Sequence, residues 1–157
     1  MVPILFLLLA VVSGKAPSRC HEGDLCFPST HEFLELRTSL EGQLLFPHDT
    51  EYKDVVSMHN VITTKNPYAV AAVKSAQDVQ KSVRFARKHN LRVTVKCSGH
   101  DYNGRSTAHD SFMIYTGYMN NTHVNLKSTR NAAGEITSDS GNTWSEIYKE
   151  VTLFIAE

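Results

Sequence analysis

The sequence predicts an α+β domain built around a small parallel strand-helix-strand unit, with further strands and flanking helices. Three observations carry this reading. An apolar run at Tyr68–Val73, a helix-period segment after Ser75 and an alternating segment at Leu91–Cys97 follow one another directly. Shorter apolar segments lie downstream of that unit and amphipathic stretches flank it. The length, 157 residues, is room for one domain.

The N-terminus reads as a leader and not as fold. Ile4–Val12 is an unbroken apolar run, well short of the roughly 20 residues that span a bilayer. Small residues follow at Ser13, Gly14 and Ala16. This is the shape of a secretory signal over residues 1–16, cleaved near Gly14 or Ala16, although no Lys or Arg precedes the apolar run. A buried N-terminal strand or helix is the competing reading. An exported chain meets oxidising conditions, where Cys20 and Cys26 in the polar loop CHEGDLC can close a small bridge or pair with a partner outside this sequence. Asn120-Asn121-Thr122 is a glycosylation sequon at Asn120, meaningful only on export.

Residues 17–66 form an N-terminal segment with one expected helix. Ser29 or Thr30 can cap it, and Phe33, Leu34, Leu36 and Leu40 give it a core-facing stripe. Phe46-Pro47-His48-Asp49 breaks that pattern, and residues 47–67 read as polar and irregular.

The main unit begins after Pro67. Tyr68–Val73 is a buried strand by its continuous apolar character. Ser75-Ala76-Gln77-Asp78 has capping-box spacing with Asp in place of Glu, and Val79, Val83 and Ala86 share one helical face. Asn90 suits a left-handed helix end. Leu91, Val93, Val95 and Cys97 then alternate with Arg92, Thr94 and Lys96, which is strand period. Strand, helix, strand implies a crossover and a parallel pair. Cys97, at the strand end, reads as a buried free thiol. Phe112–Tyr115 is another strand, with weaker ones at 124–126 and 135–137. Thr143 or Ser145 can start a last helix whose core stripe is Trp144, Ile147, Tyr148 and Val151.

Composition excludes several function classes. Sixteen basic residues balance sixteen acidic ones, and loss of Lys15 with the leader leaves fifteen against sixteen. That argues against nucleic acid as a partner and against a polybasic membrane surface. The short apolar run gives no stable membrane anchor. A hydrophobic fraction of 41% is too high for a disordered chain. The histidines show no ligand spacing, so no metal site is expected.

The chemistry is concentrated in the loop after the second strand, CSGHDYNGRS, Cys97 to Ser106. Small residues at Ser98, Gly99 and Gly104 let backbone approach a ligand, and successive amides in such a turn make an anion-binding concavity. Loops leaving the carboxyl ends of parallel strands are where open α/β sheets place ligands. A diphosphate fits. Gly99–Ser106 also matches the phosphate-binding pattern G-x-x-x-x-G-K-S, with Arg105 in place of Lys. That motif needs a helix directly after it, and residues 107–115 have strand character instead.

The segment LRVTVKCSGHDYNGRST resembles the flavin-loop signature of FAD-linked oxidases of the vanillyl-alcohol oxidase and p-cresol methylhydroxylase group. Its nearest branch looks like the berberine-bridge-enzyme-like oxidases. The resemblance runs from about Pro67 to Val151 and includes SAQDVQKSVRFARKHN and SGNTWSEIYKEV. It implies the first lobe of a p-cresol-methylhydroxylase-type FAD-binding domain over residues 67–157, with FAD as cofactor. Ser98, Gly99, Asp101, Tyr102, Asn103, Gly104 and Ser106 would form the loop around the FAD pyrophosphate. His100 would be the residue bonded covalently to the flavin, since a neutral imidazole nitrogen is a nucleophile near pH 7. Gly141 and Asn142 match a second turn near the cofactor.

Ser98 and Cys97 depart from the family pattern, but both are small. The implied activity is oxidation of an alcohol or sugar, with O2 reduced to hydrogen peroxide. The catalytic acid/base residues are expected beyond the chain end. The chain is therefore expected to be the N-terminal portion of a longer oxidase, a fragment or a natural truncation, and inactive alone. The alternative is a secreted, non-enzymatic module that keeps the fold without the flavin.

Overall fold

The computed structural model describes residues 19–155. The expected leader, 1–16, lies outside them. Four strands form one sheet: β1 (Gln43–Leu45), β2 (Ala69–Ala72), β3 (Val93–Lys96) and β4 (Phe112–Tyr115). Their spatial order is β1-β2-β4-β3, with β1 antiparallel to β2 and the other pairings parallel. Strands β2 and β3 are thus parallel but not paired. The expected direct pairing is corrected, because β4 enters between them and Phe112 faces Ala69 on one side and Val93 on the other. Covered on both faces, β2 and β4 carry continuous apolar sequence.

Successive residues of β2 point to opposite faces, and each face has its own helices. Ala69 and Ala71 pack with Phe33, Leu36 and Leu40 of the α1 segment (α1, Thr30–Ser39) and with Ala86 of α3 (Ala76–Lys88). Val70 and Ala72 pack with Tyr52, Val55 and Val56 of α2 (Tyr52–Val56). Ser29 caps α1 in a reciprocal capping box with Glu32, whose carboxyl is held down at about 2 by Lys88 and by the Ser29 amide and hydroxyl.

Several expectations change in three dimensions. Residues 47–67 are not irregular throughout: they contain α2 and a 3-10 turn (Val61–Thr63), and Tyr52, Val55, Val56 and Met58 are buried. Five residues are too few to display helical periodicity, so this element leaves little trace in the sequence. Leu34 and Val83 are exposed, because the stripes of α1 and α3 are narrower than their apolar residues. Asp78 makes only half of a capping box. Its amide donates to Ser75 Oγ at 3.3 Å, but its fully buried carboxylate accepts from the Glu41, Gly42 and Lys74 amides at 3.0, 2.9 and 3.2 Å. It ties the α1–β1 turn to the start of α3.

Strand β3 reverses the expected facing. As an edge strand it exposes Val93 and Val95 and buries Lys96, and Cys97 is half-buried where a buried thiol was expected. Asn90 does take the left-handed conformation, φ 51°. Cys20 and Cys26 are joined in a disulfide, beside a parallel bridge from Cys20 to Leu91.

Beyond the sheet, β5 (Thr122–Asn125) and β6 (Glu135–Ser138) form an antiparallel hairpin, and α4 (Trp144–Ile155) packs against β5. Thr143 and Glu146 cap α4 reciprocally. Of the expected core stripe, Ile147 and Val151 are half-buried, whereas Trp144 and Tyr148 stack on each other on the exposed side. Among the described residues, no helix is long and apolar enough to cross a membrane.

Candidate functional site

Parallel strand β3 delivers its last residue, Lys96, into the interior directly under the loop. Lys96 Nζ donates to Val55 O at 2.7 Å and lies 4.6 Å from the centre of the Tyr115 ring. Burial pushes this ammonium below its ordinary value, partly opposed by the neighbouring Cys97. The chain then turns at Gly99, which is buried with φ +79°. A Cβ there would stand 2.9 Å from Lys96 Cε and 3.4 Å from Ser57 O. Gly104 makes the second left-handed turn, φ +70°, against Thr63.

Asp101 holds the loop between these two glycines. Its Oδ1 accepts from the Asn103 amide at 3.1 Å, and Oδ2 accepts from the Ser106 amide at 2.8 Å and hydroxyl at 3.1 Å. Burial opposes ionisation of Asp101, but the Ser106 and Asn103 donors and Arg105 outweigh it and keep the carboxyl below its usual range. Asp101 and Ser106 are therefore the scaffold of the loop.

His100 projects from the scaffold and is exposed. Its Nδ1 is 3.1 Å from Ser98 Oγ. Its ring lies against that of His59, centroids 4.8 Å apart and 20° from parallel. No acceptor among the described residues reaches the amides of Gly99 or His100.

Facing this loop is the start of α4. Ser98 and His100 form one wall of an open cleft of about 670 Å3, and Asn142, Thr143, Trp144 and Ser145 form the other. The two segments singled out in the sequence are thereby brought together. Gly141 stands behind that second wall. A Cβ on it would meet the carbonyls of Thr116, Met119 and Gly117 at 2.6–2.7 Å, so only glycine lets the 141–142 turn pack there. Asn142 Nδ2 braces the turn through Asn121 O, Thr122 Oγ1 and Ser138 Oγ. Tyr102 and Asn103 are exposed, and with Gly104 they lie outside the cleft lining. The sequon residue Asn120 is exposed, in the turn before β5.

Sequence reasoning missed His59, Asn60 and Thr63. They lie about 40 residues upstream, in the stretch read as irregular. His59 N donates to Gly99 O at 3.0 Å, and Asn60 Nδ2 donates to Tyr102 O at 3.0 Å. No spacing in the sequence relates them to the loop.

The arrangement suits a phosphate-bearing cofactor on a physical test. Gly99 makes a left-handed turn that L side chains rarely adopt, two loop amides meet no acceptor among the described residues, and a buried ammonium lies beneath. The helix start on the opposite wall adds the favourable end of a dipole, offset in part by Glu146.

Comparison with known proteins agrees with this geometry. The profile of the FAD binding domain family matches residues 67–154. The FAD-linked oxidoreductase easE of Arthroderma otae is 42% identical over 87 residues, covering 52% of this chain and 14% of that protein. The enzyme of the same name from Epichloe festucae var. lolii is 28% identical over 199 residues, covering 90% of this chain and 33% of its own length. The VAO-type flavoprotein MtVAO615 of Myceliophthora thermophila C1 superposes on 87% of this chain and 34% of its own, with a TM-score of 0.69 and 21% identity. The chain thus spans about a third or less of the relatives it matches. With the profile covering more than half of its residues, the chain belongs to the FAD binding domain family of FAD-linked oxidoreductases, and the cofactor of that family is FAD.

Proposed function

We propose that this chain supplies part of the FAD site of an exported oxidase. Residues 67–157 act as the first lobe of the FAD-binding domain, and residues 17–66 act as the segment that buttresses it. The observation that carries the reading is the cleft between Ser98–His100 and Asn142–Ser145.

Bound FAD would supply the two-electron redox chemistry of the oxidation. The chain's own residues bind and orient. Gly99 lets the loop backbone approach the pyrophosphate, and the Gly99 and His100 amides donate to it. Asp101, anchored on Ser106 and Asn103, keeps the loop in the shape that Gly104 closes. His100, exposed at the cleft with Nε2 making no hydrogen bond among the described residues, is the covalent attachment residue. Asn142 holds the opposite wall.

In the intact protein the substrate is a small-molecule alcohol or carbohydrate, and O2 is the electron acceptor, giving hydrogen peroxide. The chain by itself lacks activity, because its cleft is open. Export follows from the leader at 1–16, with glycosylation at Asn120.

The test is an absorption spectrum of the chain produced with FAD available, followed by acid precipitation. A flavin band near ~450 nm that precipitates with the protein is the expected result, as for a covalently held cofactor. Colour left in the supernatant would replace covalent attachment with noncovalent binding. A colourless protein would favour the non-enzymatic module.

A further inference from the structure

We propose that His59 is the positioning residue for His100, setting the plane of its ring in the cleft. The inference rests on the reading of His100 as the flavin attachment residue. An exposed imidazole on a loop normally samples several rotamers, which dilutes any single productive orientation. His100 is exposed, yet two contacts fix its ring. Ser98 Oγ, at 3.1 Å from Nδ1, sets the rotation within the plane. The face of His59, 4.8 Å away and within 20° of parallel, sets the plane itself.

His59 is built to serve as such a shelf. Its amide donates to Gly99 O at 3.0 Å, which ties its backbone to the residue preceding His100. The Tyr102 ring meets it edge-on, at 5.4 Å and 76°. Its neighbour Asn60 holds the Tyr102 carbonyl through Nδ2 at 3.0 Å. Shelf and loop therefore move together. The His59 ring makes no hydrogen bond among the described residues, so it acts through its faces and not through a ring nitrogen. A flat carbocycle could replace it.

The experiment compares the 157-residue chain with His59→Ala and His59→Phe, using His100→Ala to assign the His100 ring resonances by NMR. Each is also incubated with FAD, and total and acid-resistant flavin are followed in time. His59→Ala should move the His100 ring resonances away from their ring-current-shifted positions. It should slow appearance of acid-resistant flavin by about tenfold or more, the scale expected for loss of orientation at a reacting group. Total FAD bound should change by less than about twofold, since the phosphate loop is intact. His59→Phe should restore both the shifted resonances and the rate. Unmoved resonances in His59→Ala, or a His59→Phe variant as slow as His59→Ala, would overturn the proposal. Should the wild-type chain acquire no acid-resistant flavin, covalent attachment fails separately, and the ring resonances alone decide the role of His59. If His59→Ala does not fold, His59→Leu, which fills space without a ring, takes its place.

Discussion

Lys96 lies directly beneath Gly99, its Cε 2.9 Å from where a Cβ on the glycine would stand. One residue puts a buried positive charge under the loop, and the other lets the backbone turn over it. Replacing Gly99 by Val meets two penalties: a left-handed backbone costing an L residue about 1–2 kcal/mol, and a side chain that blocks phosphate approach. FAD occupancy, measured by absorbance per chain, should collapse while the fold persists by circular dichroism. Undiminished occupancy would remove this loop from the pyrophosphate site.

His100→Ala should leave bound flavin wholly extractable by acid, because the nucleophile is gone. Flavin that still precipitates with this variant would show that His100 is not the sole link.

Asp78 is an energetic keystone remote from the cleft. Asp78→Ala leaves three amides without their acceptor, at a cost on the order of 2 kcal/mol, since Glu41 and Lys74 are exposed enough for water to take part of the load. Burial opposes the charge, but the three amides and Lys81 prevail and lower its folded pKa below the ordinary 3.8. The sign follows from linkage: the stabilisation is complete above the unfolded value and is lost as pH falls through the folded one. Urea unfolding from pH 6 downward should therefore give a shallower acid limb for Asp78→Asn than for the wild type. Parallel acid limbs would refute the assignment.

The Cys20–Cys26 bridge closes a short loop at the sheet edge. Cys20→Ser should lower stability by about 2 kcal/mol, the scale for so small a loop. Thiol titration of denatured wild type should find one reactive cysteine before reduction, Cys97, and three after it. Three before reduction would mean that the bridge does not form.

The proposed export makes a mass-spectrometric prediction. Mature material recovered from a secreting host should begin near Lys15 or Pro17. An intact Met1 would count against the leader.

Much of this was legible in the residues. The segments at 68–73, 76–88, 91–97 and 112–115 contain β2, α3, β3 and β4, because apolar period and capping chemistry act locally. Left-handed Asn90 is local too, whereas the sequence left the pairing of Cys20 and Cys26 open and the structure joins them. The helix at 52–56 was not legible: its buried residues show no repeat, and its partners Val70, Ala72 and Met113 are distant in sequence. His59 escaped notice for the same reason.

By itself the sequence determined which residues share a face, where the chain turns, and that a glycine-rich loop with a histidine follows a parallel strand. Only the tertiary structure decided which face is covered. Val93 and Val95 alternate as a buried strand would, yet β4 took the place beside β2 and left β3 at the edge, with Lys96 turned inward to Val55 O and Tyr115. Trp144 and Tyr148 form a regular helical stripe that nothing among the described residues covers. Periodicity is a property of neighbours along the chain, whereas strand order, the His59–His100 stack and the two walls of the cleft are contacts between segments 19 or more residues apart. Such contacts are chosen by packing, which no local pattern encodes.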